Sequence, residues 1–176
     1  MRTPPPEDTV PEFNIILFGL AGCGKSSFLC SALTALCSSL QMNVTTIGGQ
    51  SDHVTDRYFR YRLSTYCPGA RVNLWDVWGL DVDNFNNDSF KRFLTGDVPD
   101  NYNMVEALNM NILDMPDIRA STPAEREIHA VLMFMPLGYL ELPEELQAQF
   151  RRNVEIAMRQ GMDLDCTAPN THLPCY

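Results

Sequence analysis

The segment Gly19-Leu20-Ala21-Gly22-Cys23-Gly24-Lys25-Ser26 constrains the fold more than any other part of the chain. It reads G-x-x-x-x-G-K-[ST], a turn whose glycines let consecutive backbone N–H groups curl inward around a phosphate. Such a turn needs one setting, between a buried strand and the N-terminus of a helix. Both flanks are present. Phe13 to Phe18 is a short apolar run, β-branched at its centre and ended by Gly19, which predicts a buried strand. From Lys25 to about Leu40 the period changes, and Leu29, Leu33, Leu36 and Leu40 recur at helical spacing. Gly19, Gly22, Cys23, Gly24, Lys25, Ser26 and Ser27 are therefore the candidate binding residues. Loop N–H groups, those of Cys23 and Ser27 included, face phosphate oxygens. Lys25 bridges the β- and γ-phosphates, and the Ser26 hydroxyl ligates Mg²⁺.

The remaining elements follow from pattern. Met42 to Thr55 lacks periodicity and contains Gly48-Gly49, which reads as a loop. Tyr58 to Leu63 and Val72 to Val77 read as strands, joined through the turn Cys67-Pro68-Gly69-Ala70. So short a connection makes them antiparallel neighbours. Ser89 to Leu94 predicts a short helix, and Asp97 to Tyr102 a loop. Residues 104–120 carry no clear period. Glu127 to Met135 predicts a buried strand stopped by Pro136. Pro143 to Gln160 predicts a helix, with Glu144 and Glu145 in its first turn and Gly161 past its end. Met162 onward reads as irregular. The division is a leader over 1–11, one domain over 12–161 and a tail over 162–176. The expected fold class is α/β, three layers with a mixed, mostly parallel sheet, apparently truncated at the C-terminus.

A second motif sits at the end of the strand before Gly79. Asp76-Val77-Trp78-Gly79 reads D-x-x-G. A strand's carboxyl end is where α/β sheets bind ligands. Asp76 is placed to hold Mg²⁺ through water, and Gly79 to present its N–H to a γ-phosphate. Lys25 and Gly79 are thus the candidate catalytic groups. Ser26 and Asp76 are the metal ligands the motifs nominate. His53 reads as a solvated loop residue and His129 as a hydrogen-bonded structural one.

The phosphate loop, the antiparallel pair and D-x-x-G together resemble the Ras-like GTPase superfamily. A finer resemblance is to the family of interferon-induced protein forty-four. It is carried by Gly19 to Phe28, the Tyr-rich strand Tyr58 to Tyr61, Asp76 to Leu80, Gly96-Asp97-Val98-Pro99-Asp100-Asn101-Tyr102, and Ile128-His129-Ala130-Val131. It covers residues 13 to 160. The resemblance implies a three-layer G-like domain that binds GTP or GDP with Mg²⁺, and a GTPase. Resemblance to GTPases, which use a loop threonine, also implies a third metal ligand beside Ser26 and Asp76, and of Thr45, Thr46, Ser51 and Thr55, Thr55 is preferred. Two departures qualify it. Leu80 stands where Ras-like enzymes place the Gln that orients the attacking water, so hydrolysis is expected to be slow unless a partner or a dimer supplies the missing group. No N/T-K-x-D base-reading motif follows the Pro143 to Gln160 helix, so guanine specificity comes from the resemblance. An absent final strand also leaves Ala130 to Met135 at a sheet edge, and the expectation is a fragment, or a sheet completed by a second copy or another protein. The alternatives are an ATP-using P-loop enzyme, against which the antiparallel pair argues, and a non-catalytic interaction module.

Bulk composition bounds the partners. The formal net charge is −9, from 22 acidic against 13 basic residues, which argues against nucleic acid or an anionic membrane surface. A phosphate ligand stays compatible, because the loop binds through backbone N–H groups and one Lys. Six cysteines show no C-x-x-C pair and no zinc spacing, so the reading is a reduced, cytoplasmic protein. No apolar run approaches the roughly 18 residues a membrane span needs, and neither end carries a lipidation signal.

Overall fold

The computed structural model of the chain describes residues 12–37, 57–77, 79, 87–104, 125–161 and 163–167. In chain order they form β1 (Phe13–Gly19), α1 (Lys25–Cys37), β2 (Arg57–Arg62), a 3₁₀ turn (Leu63–Thr65), β3 (Val72–Asp76), α2 (Asn87–Leu94), β4 (Tyr102–Asn103), β5 (Ala130–Phe134), a second 3₁₀ turn (Tyr139–Glu141), α3 (Glu144–Arg159) and β6 (Asp163–Thr167). One mixed sheet runs in the order β4-β2-β3-β1-β5-β6. The strands β3, β1, β5 and β6 are parallel, while β2 is antiparallel to both β3 and β4. The antiparallel β2–β3 pair is as the short turn demands: the Ala70 N–H donates to the Cys67 carbonyl at 3.0 Å and closes it.

Successive strand side chains point to opposite faces, and ring contacts show what covers each face. Phe18 of β1 lies against Phe90 of α2 and Phe150 of α3, at centroid distances of 4.3 and 6.3 Å. Phe134 of β5 is in register with Gly19, one position on from Phe18, and so lies on the other face. There it meets Phe28 of α1 at 5.4 Å. Helix α1 therefore covers one face, and α2 and α3 cover the other. Leu29 and Leu33 of α1 are fully buried, whereas Leu36 of the same heptad row is 40% exposed. On the α2 side, Tyr58 stacks on Trp75 at 4.8 Å and meets Phe93 edge-on at 4.6 Å.

A polar staple fixes the strand register. Asn14 is 1% exposed, and its side chain makes four bonds. Its Nδ2 donates to the carbonyls of Glu125 (3.1 Å) and Glu127 (2.9 Å). Its Oδ1 accepts from Asn73 Nδ2 (2.8 Å) and Trp75 Nε1 (3.0 Å). The backbone adds two more links, Asn14 N–H to His129 Nδ1 and His129 N–H to the Asn14 carbonyl. One residue thus ties β1 to β3 on one side and to the approach to β5 on the other. His129 is the structural, hydrogen-bonded residue that its place in the sequence predicts.

Three expectations change. The segment after Met162 is not wholly irregular: Asp163–Thr167 is a strand pairing in parallel with all of β5, from Ala130 opposite Asp163 to Phe134 opposite Thr167. β5 is therefore an interior strand, and no second chain is needed to cover it. Tyr102, read as the end of a loop, is instead part of β4, which pairs with Arg57 and Tyr58. β5 itself begins at Ala130 rather than Glu127: the Ile128 N–H goes to the Leu94 carbonyl, and the Asn14 N–H goes to the His129 side chain rather than to a backbone carbonyl.

Replacing Asn14 by Ala orphans the buried Trp75 Nε1–H and removes the bond that ties Asn73 to β1. The expected loss is about 3 kcal/mol of unfolding free energy. Urea denaturation checks this: the midpoint falls with an unchanged slope, and a loss below about 1 kcal/mol contradicts the staple.

Candidate functional site

The carboxyl ends of β1 and β3 meet at one place. Leu17 is in register with Asp76, so the turn that leaves β1 rises directly beside the Asp76 carboxylate. Gly19 and Leu20 end the strand, Ala21 to Gly24 form the turn, and α1 starts at Lys25. The turn demands glycine where the chain bends back, and Gly22 and Gly24 have φ of 75° and 88°, in the left-handed region. The Gly24 carbonyl accepts the first helical bond, from the Phe28 N–H at 2.8 Å. Gly24 is therefore the residue that caps α1, and it has no side chain to satisfy the N–H groups of the first turn. No acidic residue occupies that turn either. The helix end is left open and positive, the arrangement that receives an anion.

Two charged side chains sit inside this end of the sheet. Lys25 is 6% exposed and curls back over the turn, with its Nζ donating to the Gly19 and Leu20 carbonyls at 3.2 and 3.0 Å. Burial pulls its ammonium below the usual lysine pKa, and the nearby Asp76 carboxylate offsets part of that. Asp76 is 1% exposed, and its Oδ2 accepts from the Ser26 hydroxyl at 3.3 Å. The residues that the two motifs nominate independently, 50 positions apart, are thus in contact. They form a donor pair of hard oxygens. No group of three or more His, Cys, Asp or Glu side chains suited to a metal lies among the described residues. Mg²⁺ does not require one, because it keeps several waters and takes one or two protein oxygens plus substrate phosphates. Ser26 and Asp76 fit that requirement.

Gly79 joins the same site by close approach. A Cβ on Gly79 would overlap the N and Cα of Ala21, so the Gly79 backbone lies close against the β1–α1 turn. A Cβ on Gly19 would overlap the Phe134 carbonyl oxygen of β5. The structure thereby brings together Gly19, Gly22, Cys23, Gly24, Lys25, Ser26, Asp76 and Gly79. Ser27 is exposed on the first turn of α1. Cys23 differs in detail from its expected role: its N–H donates to the Leu20 carbonyl at 3.3 Å, within the turn. Burial raises the Cys23 thiol above its usual pKa, so it packs as a neutral group. Thr55, the preferred third metal ligand, lies outside the described residues, as do Thr45, Thr46, Ser51, His53, Trp78 and Leu80.

Sequence reasoning gave the Gly96 to Tyr102 segment no role of its own. The Arg60 N–H donates to Asp100 Oδ1 at 2.9 Å, and the Arg60 guanidinium Nε lies 3.5 Å from Asp100 Oδ2. Asp100 thus occupies the free edge of β2 where the short β4 stops. A carboxylate two residues before a strand-like Tyr is the only signal in the sequence, and it does not identify its partner.

No model of a known protein family matches the chain, and no curated protein matches it. The site's chemistry therefore stands on its own geometry.

Two glycine substitutions separate space from conformation. Gly22→Ala meets no atom and pays only for its left-handed φ, about 1 kcal/mol. Gly79→Ala must displace the Ala21 backbone and is expected to cost at least about twice as much. Denaturation of the two variants side by side checks the order, and a neutral Gly79→Ala contradicts the close contact.

Proposed function

We propose that this chain binds a nucleoside triphosphate, GTP, together with Mg²⁺ at the β1–α1 turn, and hydrolyses it slowly. The observation that carries the reading is the 3.3 Å contact of Ser26 with Asp76 beneath a helix N-terminus headed by Gly24 and free of acids in its first turn. A hydroxyl and a carboxylate at that point would hold Mg²⁺, which when bound withdraws negative charge from the β- and γ-phosphate oxygens. The chain's own groups do the rest. The first-turn N–H groups of α1 bind phosphate oxygens. Lys25 trades its bonds to the Gly19 and Leu20 carbonyls for phosphate oxygens and neutralises charge that grows there. The Gly79 N–H, pressed against the turn, orients the terminal phosphate. Leu80 offers no hydrogen bond to an attacking water, which is why hydrolysis is slow in this reading.

The strand order supports a G-like domain. The antiparallel β2 beside β3 favours it over an ATP-using P-loop enzyme. Guanine as the base rests on the resemblance to the Ras-like superfamily and to the interferon-induced protein forty-four family. The segment that follows β6, where such domains read the base, lies outside the described residues.

Binding of fluorescent GTP and ATP analogues in Mg²⁺ tests the proposal. GTP is expected to bind more tightly than ATP. Lys25→Ala is expected to weaken binding about 100-fold, the loss of two charge-assisted bonds. Asp76→Asn is expected to raise the Mg²⁺ concentration needed for half-saturation. A folded protein that binds neither nucleotide would overturn the reading and leave an interaction module.

A further inference from the structure

Away from the phosphate site, β2 carries Arg57, Arg60 and Arg62 within six residues, in a chain of net charge −9. Arg60 is engaged internally with Asp100, and its guanidinium carbon lies 5.3 Å from the centroid of the Trp75 ring. Arg57 donates to the Asn101 carbonyl. Arg62 is exposed. Beside it opens a cleft of about 360 Å³, lined by Phe59, Arg60, Tyr61, Arg62, Thr65 and Tyr66. Phe59 is 39% exposed and stands edge-on to Tyr61 at a centroid distance of 4.9 Å. The cleft therefore lies along β2 between the aromatic side chains of one face and the exposed Arg62 of the other. Those are the features that receive an extended proline-rich segment followed by acids.

The chain owns such a segment, Pro4-Pro5-Pro6-Glu7-Asp8. It joins the domain at the right end of the sheet. Glu12 accepts from Asn73 Nδ2 at 2.8 Å, and the Phe13 N–H donates to the Arg71 carbonyl at 2.7 Å. Asn73 is in register with Asn14 on one side and with Arg62 on the other. Two strand spacings, about 10 Å, thus separate the tether from the cleft. From Glu12 back to Pro5, a polyproline-type path of ~3.1 Å per residue spans about 20 Å, enough to reach Phe59. The tether also holds the segment at an effective concentration in the millimolar range, so weak contacts suffice.

We propose that residues Pro4 to Asp8 dock in this cleft, the prolines over Phe59, Tyr61 and Tyr66 and the acids toward Arg62. Nuclear magnetic resonance on the full chain tests it. In the unaltered protein the amides of Glu7 and Asp8 are expected to show order parameters above about 0.6, the bound of flexible backbone. Arg62→Glu, an exposed charge reversal, is expected to drop them below that bound and to shift the ring signals of Phe59, Tyr61 and Tyr66. A Pro4→Ser, Pro5→Ser, Pro6→Ser variant leaves the domain untouched and is expected to produce the same ring shifts. Mobile Glu7 and Asp8 amides in the unaltered protein, or ring signals indifferent to the proline variant, would overturn the proposal. Ring shifts that instead depend on protein concentration would assign the cleft to a second copy and equally overturn it.

Discussion

The rest of the structure depends on the buried amide of Asn14. Its four side-chain bonds join β1 to β3 through Asn73 and Trp75, and to the segment entering β5 through Glu125 and Glu127. A one-residue slip of β1 would break all four and turn Phe18 away from Phe90 and Phe150. With the register held, Leu17 stands opposite Asp76, and the turn after Gly19 opens beside that carboxylate. A polar anchor at the amino ends of the strands thus sets the geometry of a polar site at their carboxyl ends.

The site works by what it leaves out. Gly24 ends the turn without a side chain of its own to close the first N–H groups of α1, and no acid occupies the first turn. Gly79 lies on Ala21 with no Cβ between the two backbones. The charges that remain, Lys25 and Asp76, are both almost wholly buried, where low dielectric strengthens electrostatic interactions. The Gly19 and Leu20 carbonyls satisfy Lys25, and the Ser26 hydroxyl bonds Asp76. If the proposed nucleotide binds here, the described part of its site is already in place.

Much of this was legible in the sequence, because the constraints are local. The glycines of the G-x-x-x-x-G-K-[ST] motif, an apolar run before them and leucines at helical spacing after them need no tertiary knowledge. The antiparallel pair followed from the short turn at Cys67 to Ala70. What stayed hidden depended on contacts distant in sequence. Asn14 shows no pattern, since its partners lie 59 to 113 positions away. β4 is two residues long and exists because β2 offers an edge. β6 has Leu164 and Cys166 alternating with acids, a short period-2 signal, and the edge it fills, that of Ala130 to Met135, was expected to be left open. Acids at Asp163 and Asp165 masked it, although charge on an outer strand is a common way to protect an edge.

The most direct measurement is a titration of the protein with inorganic pyrophosphate and Mg²⁺, followed through its backbone amide resonances. Pyrophosphate carries no base, so it probes the phosphate cradle alone. Large shifts confined to Gly22, Gly24, Lys25, Ser26 and Gly79, and dependent on Mg²⁺, are the predicted result. Small shifts scattered over the surface, unchanged by Mg²⁺, would contradict the claim that this turn is a phosphate site.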